Sequence, residues 1–191
     1  MDVDACSIPE LVCWSTETYA DLVAIRDGEV SLTYAELGAR IDQAARAMVV
    51  GGIEPGDTVA VWAPNCWQWV VAGLAVSRAG AVLVPINTRF KGREAAYVMR
   101  TAGVRLLFVV DGFLDTDYSG SLAGHELATL NAIVDLAASS SNGVTGFEEF
   151  LAGGGPAAVE VAGDARAVGA VPAAGANVAE LQAEVQRRSA A

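Results

Sequence analysis

Residues 57–110 read DTVAVWAPNCWQWVVAGLAVSRAGAVLVPINTRFKGREAAYVMRTAGVRLLFVV, and this stretch decides the fold. Three short apolar runs alternate with two helical segments: strands at 57–63, 81–86 and 104–110, and helices at 65–79 and 92–102. Apolar strands separated by helices are typical of parallel βαβ units whose sheet is covered on both faces. The sequence therefore predicts an α/β fold on a parallel sheet, with right-handed crossovers.

Helix and turn signals precede this stretch. Thr33-Tyr-Ala-Glu36 is a capping-box pattern ahead of an apolar helical face, which Gly51-Gly52 ends. Asp27-Gly28 lies between apolar residues and predicts a hairpin that joins strands at 23–26 and 30–32.

The signals after residue 111 are weaker. They predict a short helix at 114–122, a fourth strand at 131–136, a loop at 139–143 and a helical turn at 146–151. Asn65, just after a proline, is the predicted cap of the helix at 65–79.

Four segments in fixed order carry a family resemblance: Leu32-Thr-Tyr-Ala-Glu-Leu37, Gly56-Asp-Thr-Val-Ala-Val61 with the following Pro64-Asn65, the stretch Ser77 to Phe90, and residues 91–110. The first and third resemble the first two core motifs of the adenylate-forming acyl-CoA synthetases. The second is similar to their second strand and the turn after it. The resemblance spans residues 10–150 and implies the N-terminal domain of that fold, present here in part.

A finer resemblance rests on two further segments. Trp67-Gln-Trp69 and Gly112-Phe-Leu-Asp-Thr-Asp-Tyr118 look like actinobacterial fatty-acyl-CoA ligases, including those that activate propanoate side chains on steroid rings. The alternative is that both tryptophans simply fill space on a helix, which is favoured for Trp69.

The resemblance implies an ATP-dependent ligase that joins a carboxylic or fatty acid to CoA through an acyl-adenylate. That chemistry needs ATP, Mg²⁺, CoA, and a glycine-rich phosphate loop with a lysine. The only lysine is Lys91, at a predicted helix start, and neither Tyr118–Gly124 nor Ser139–Gly146 contains one. His125 has no Ser or Cys nucleophile context. We therefore predict no catalytic, cofactor-binding or metal-binding residue in this chain, and no cofactor bound by it alone.

Composition divides the chain into two regions. Residues 1–151 are predicted to form the partial N-terminal domain of an acyl-CoA synthetase, and residues 152–191 a low-complexity tail, half of it alanine or glycine. Ordering such a backbone costs about 1–2 kcal/mol per residue with little burial in return. The tail is predicted to be disordered at 152–176, with a short helix at 177–188. We expect a truncated chain, inactive alone, and a frameshift near residues 155–170 would explain the tail.

Charge and cysteine content exclude several classes of function. A net charge of -11 and a pI near 4.4 argue against nucleic acid or anionic membranes as partners. Three cysteines without C-x-x-C spacing and a single histidine argue against a metal site. An odd cysteine count and an acidic N-terminus favour the cytoplasm. The apolar stretch 69–86 is broken by Arg78, Gly80 and Pro85, so no membrane span is expected.

Two other functions stay open. One is a non-catalytic α/β interaction module that completes or regulates a separately encoded catalytic half. The other is a layer that binds a small acyl or nucleotide ligand without chemistry, although the loops at 63–65 and 87–89 have no glycine pattern. An incomplete sheet would expose apolar surface, so self-association or a complementary catalytic chain is expected beside the carboxylic acid substrate of the intact family.

Overall fold

The predicted α/β fold is confirmed in a computed structural model that describes residues 7–137 and 143–154. In chain order the elements are α1 (Ile8–Thr18), β1 (Val23–Asp27), β2 (Val30–Thr33), α2 (Tyr34–Val50), β3 (Thr58–Trp62), α3 (Trp67–Arg78), β4 (Val82–Pro85), α4 (Gly92–Ala102), β5 (Val104–Val109), β6 (Ala132–Asp135), β7 (Thr145–Gly146) and α5 (Phe147–Glu149), which continues as a π-helical turn at Phe150–Gly154.

Five strands form one parallel sheet in the spatial order β4-β3-β5-β6-β7. The chain steps from β3 outward to β4 and then returns to the other side of β3 at β5, so the strand order reverses between β3 and β5. Because the strands are parallel, their carboxyl ends meet at one edge, which we call the carboxyl edge. The antiparallel pair β1–β2 forms a separate hairpin.

The core has two layers because successive strand residues point to opposite faces of the sheet. Val61 and Phe108 face the layer that contains α2, α3 and the segment 147–154. Trp62 and Val109 face the layer that contains α4 and the connection between β5 and β6. Both faces are therefore covered, as the continuous apolar strands require.

The helix and turn signals before β3 are confirmed. The Glu36 backbone N–H donates to Thr33 Oγ1 at 3.2 Å, and the Thr33 N–H donates to Glu36 Oε2 at 2.8 Å, which completes the capping box of α2. That helix ends at Gly51, as predicted. Gly28, with φ 57°, occupies the turn of the predicted hairpin in a conformation that glycine adopts without strain.

Two local predictions were wrong. Asn65 is not the cap of α3: the helix begins at Trp67, after Cys66, whose side chain makes no cap hydrogen bond. The predicted helix at 114–122 is instead two separate 3₁₀ turns, Phe113–Asp115 and Gly120–Leu122. Left-handed backbone at Leu114 and Asp115 distorts the first turn, and extended backbone at Thr116 ends it, so the helical path does not continue to the second turn.

The segment that follows β7 closes the core. Phe147 and Phe150 are fully buried, with their rings 6.5 Å apart, and both contact Phe108 on β5. Residues 152–154 of the predicted tail belong to the helical turn Phe150–Gly154, so the prediction of disorder at 152–176 was wrong for these residues. The rest of the tail, with the helix predicted at 177–188, and residues 139–142 of the predicted loop lie outside the described residues. Among the helices of the described ranges, none has both the length and the apolar character needed to cross a membrane.

Candidate functional site

The carboxyl edge is the candidate site. The connections that leave it include 63–66 after β3, 86–91 after β4 and the longer segment 110–131 after β5. In open parallel sheets, ligands bind beyond the carboxyl ends of the strands, where the strand order reverses. That point lies here between β3 and β5.

Two buried aromatic side chains fix the connection after β4. Trp62 Nε1 donates to the Asn87 carbonyl at 3.0 Å, and the Tyr118 hydroxyl donates to the Thr88 carbonyl at 3.0 Å. The two rings meet edge to face with centroids 4.6 Å apart. Burial, reinforced by the charge of Asp111, raises the pKa of Tyr118, so the phenol stays a hydrogen-bond donor. The carbonyl groups of Asn87 and Thr88, which are consecutive in the loop, are thus each fixed by a hydrogen bond from a buried aromatic side chain.

The segment 118–124 contains serines and glycines but is built around carboxylates. Asp111 accepts hydrogen bonds from the Ser119 N–H, at 2.9 Å, and from the Ser119 hydroxyl. Asp117 accepts from the Gly120 N–H at 2.8 Å. A phosphate cradle needs backbone N–H groups that point at the anion. Here those groups already bind carboxylates, whose charge would repel a phosphate.

The turn Gly112–Thr116, directly after β5, holds two consecutive non-glycine residues in left-handed backbone. Leu114 and Asp115 both have φ 54°. For a side chain such as leucine, this conformation costs about 1–2 kcal/mol. The turn is closed by the Gly112 N–H, which donates to the Thr116 carbonyl at 2.9 Å. Leu114 carries no sign of this backbone in its residue type, since glycine, asparagine and aspartate are the residues that usually adopt it.

The same segment has the spacing of a calcium-binding loop. Acidic or hydroxyl residues stand at the ligand positions Asp115, Asp117, Ser119 and Glu126, and Gly120 stands at the position of the sharp turn. The geometry does not support a metal site. Asp117 caps the Gly120 N–H, and within residues 7–137 and 143–154 no three His, Cys, Asp or Glu side chains are grouped to hold an ion.

A groove of about 340 Å³ opens beside the amino end of α3, between that helix and the hairpin. Its lining includes two tryptophans and a few polar groups: Ile25, Arg26, Asp27, Asn65, Cys66, Trp67, Trp69 and Val70. Burial raises the pKa of the Cys66 thiol. Because a thiolate is the reactive form, Cys66 is not an activated nucleophile at neutral pH.

The carboxylate of Asp27 supplies the cap that Asn65 was predicted to provide. Its Oδ2 accepts a hydrogen bond from the Trp67 N–H at 2.9 Å, across 40 residues of sequence. Negative charge at the first turn of a helix is favourable because unpaired N–H groups collect there. The hairpin thus fixes the start of α3 beside the groove.

Asp27→Ala is expected to lower the free energy of unfolding by about 1 kcal/mol, the usual cost of a lost helix cap. Urea unfolding of the full chain measures this. Asp21→Ala is the control, since Asp21 lies at an exposed position before the hairpin, and is expected to change stability by less than about 0.5 kcal/mol. Equal effects of the two substitutions would show that the Asp27 contact does not stabilise α3.

Arg40 joins three elements next to the groove. Its guanidinium lies 4.8 Å from the centre of the Trp67 ring, and its Nη1 contacts Glu148 Oε1 at 3.1 Å. The Trp67 ring also meets Phe147, with centroids 5.9 Å apart. Trp67 therefore forms part of the packing between α3 and the segment 147–154, which matches the alternative assigned to both tryptophans.

The residues considered for a catalytic role from the sequence, Lys91 and His125, lie in different parts of the fold. Lys91 is the exposed N-cap residue of α4, as predicted for a helix start. His125 lies half-buried in the connection to β6. The motif Ser77–Phe90 forms the end of α3, the strand β4 and most of the connection 86–91. The absence of a catalytic residue from this chain stays a prediction.

Comparison with known sequences assigns a family. The sequence profile of a family described as AMP-binding enzyme matches residues 13–174. A methyl-dioxo-octahydro-indenyl propanoyl:CoA ligase of Rhodococcus jostii is 38% identical over 149 residues, covering 75% of this chain and 29% of the relative. A ligase of the same name from Mycobacterium tuberculosis is 35% identical over 165 residues, covering 86% of this chain and 32% of the relative. The chain thus spans less than a third of the length of these two relatives.

Solved structures share the fold. An anthranilate CoA ligase in complex with anthranoyl-AMP superimposes with a TM-score of 0.71 at 23% identity, over 82% of this chain and 30% of the other. A benzoate CoA ligase from Burkholderia xenovorans gives a TM-score of 0.66 at 23% identity, over 83% and 31%. At this identity, the likeness concerns the fold alone.

Proposed function

Because the chain belongs to the AMP-binding enzyme family, we propose that it supplies the N-terminal α/β layer of an ATP-dependent ligase that joins a carboxylic acid to CoA. Two ligase relatives, at 38% and 35% identity, are the observation that carries this proposal. Both are named for a propanoate on a fused ring, which favours an apolar ring-bearing or fatty acid as the substrate.

The proposed role of these residues is structural. At the carboxyl edge, the connection 86–91 is held by hydrogen bonds, and a groove lined by two tryptophans lies beside α3. The N–H groups of Ser119 and Gly120 are bound to carboxylates. ATP phosphates do not fit this arrangement, because the segment is acidic and the only lysine, Lys91, begins a helix at the surface. For Mg²⁺, the described residues contain no group of three His, Cys, Asp or Glu side chains that could hold an ion. ATP, Mg²⁺ and CoA would therefore be held by other parts of the ligase. These 191 residues alone would not turn over substrate, and the proposed site of action is the cytoplasm.

Reconstitution tests this role. The purified chain is mixed with the remaining portion of the Rhodococcus jostii ligase, and AMP release is measured with ATP, Mg²⁺, CoA and the ring-bearing propanoate. We expect no turnover from either piece alone and turnover from the mixture. The relative's own N-terminal portion serves as the positive control, and a continuous chimera covers the case in which separate pieces do not assemble.

Each result decides something. AMP release by the chain alone would contradict the proposal that it lacks catalytic groups. A chimera that stays inactive while the positive control works would contradict the ligase role, and binding without turnover would favour the non-catalytic interaction module instead.

A further inference from the structure

We propose that the turn Gly112–Thr116 presents Leu114 to the apolar part of the acid, and that Leu114 is a specificity-determining residue of the ligase. This inference rests on the proposed function and adds to it a residue and a direction of binding. Three independent observations carry it: the place of the turn in the sheet, its backbone strain and the exposure of its leucine.

The turn lies at the carboxyl edge, beside the reversal of strand order where ligands bind in open parallel sheets. It follows β5 at once, and β5 adjoins β3 at the reversal of strand order. The segment that continues from the turn crosses the carboxyl edge. Tyr118 contacts the ring of Trp62, the last residue of β3, and its hydroxyl reaches the carbonyl of Thr88 after β4. Leu114 thus stands at the start of a segment that spans the ends of three strands.

The backbone at this turn is strained, and burial of the Leu114 side chain does not compensate for that strain. Leucine rarely adopts φ 54°, and glycine would occupy the position freely. Yet the Leu114 side chain is 64% exposed, so it contributes little to the core. Strain of this kind concentrates at ligand-contacting sites, where the surrounding structure holds it in place. An exposed, strained leucine at the carboxyl edge is therefore placed to contact a ligand rather than the core of this chain.

The charges around the turn set the direction of the ligand. Asp111, Asp115 and Asp117 flank Leu114 along the segment. Carboxylates repel a carboxylate, so the acid group of a substrate would point away from this turn. The apolar body of the acid would then meet Leu114, and the reacting carboxyl group would face the parts of the ligase that hold ATP.

Leu114→Ser in the reconstituted ligase tests the inference. Rates are measured with the ring-bearing propanoate and with acetate, which has no apolar body. We expect the ratio of kcat/KM values for the two acids to fall about tenfold, the usual effect of losing one apolar contact. Leu22→Ser is the matched control, because Leu22 is 59% exposed before the hairpin, away from the carboxyl edge. It is expected to leave the ratio unchanged.

Thermal unfolding separates this role from a structural one. Leu114→Gly relieves the left-handed strain, so its unfolding midpoint should match or exceed that of the unmodified chain. A clear decrease would show that the leucine supports the fold and would overturn the inference. An active ligase whose acid preference survives Leu114→Ser would overturn the inference alone. A ligase inactive with every acid would overturn it together with the proposed function.

Discussion

Replacing Phe150 with alanine is expected to lower the free energy of unfolding by about 3–5 kcal/mol, the usual cost of truncating a buried phenylalanine. Phe150 is fully buried, and its ring lies 5.5 Å from that of Phe108 and 6.5 Å from that of Phe147. Removing it leaves a cavity between β5 and the segment 147–154. Urea unfolding of the full chain, followed by tryptophan fluorescence, measures the loss.

Val50→Ala is the control for this prediction, because Val50 is 71% exposed at the end of α2. Its effect should stay within about 0.5 kcal/mol. If Phe150→Ala costs less than about 1 kcal/mol, the segment 147–154 is not an integral part of the core in solution.

Gly92→Ala is expected to destabilise the chain by about 1–3 kcal/mol through overpacking. A Cβ at Gly92 would lie 2.1 Å from the Ser121 carbonyl oxygen and 2.8 Å from the carbonyl carbon. These are backbone atoms, so no side-chain rotation can relieve the clash. Either α4 or the segment 118–124 must move, and differential scanning calorimetry should show a lower unfolding temperature.

The same substitution at Gly73 should act in the opposite direction. There the nearest atoms to an added Cβ are the ends of the Trp69 and Leu83 side chains, at 3.4 and 3.5 Å. Alanine stabilises a helix interior by about 0.5–1 kcal/mol relative to glycine. A lower stability for Gly73→Ala would show that α3 packs more tightly against β4 than these distances indicate.

The parallel sheet was predictable because its signals are local. The strands β3 to β6 are mainly apolar runs, and helix ends carry their own markers, such as the Thr33–Glu36 capping box and Gly103 at φ 66°. Only the two-residue strand β7 escaped, because it is too short to show a pattern.

The candidate site was less predictable because its contacts join distant parts of the chain. The Asp27 carboxylate caps a helix 40 residues away, whereas the local sequence pattern predicted Asn65 as the cap. Leu114 and Asp115 are left-handed although neither is glycine, so the sequence pattern pointed to a helix. The sequence motifs in the loops indicated the family. The hydrogen bonds that hold the loop after β4 come from Trp62 and Tyr118, whose residue types predict only burial in the core.

The packing of α2 against the segment 147–154 has a consequence during translation, because the two elements are synthesised at different times. Leu37 and Met48 belong to the same core as Phe150 and Leu151, and Arg40 reaches Glu148 over 108 positions. A ribosome adds about 5–20 residues per second. The apolar face of α2 therefore emerges several seconds before the aromatic residues that cover it. During that interval the growing polypeptide offers a natural target to chaperones, and slow translation would prolong its exposure.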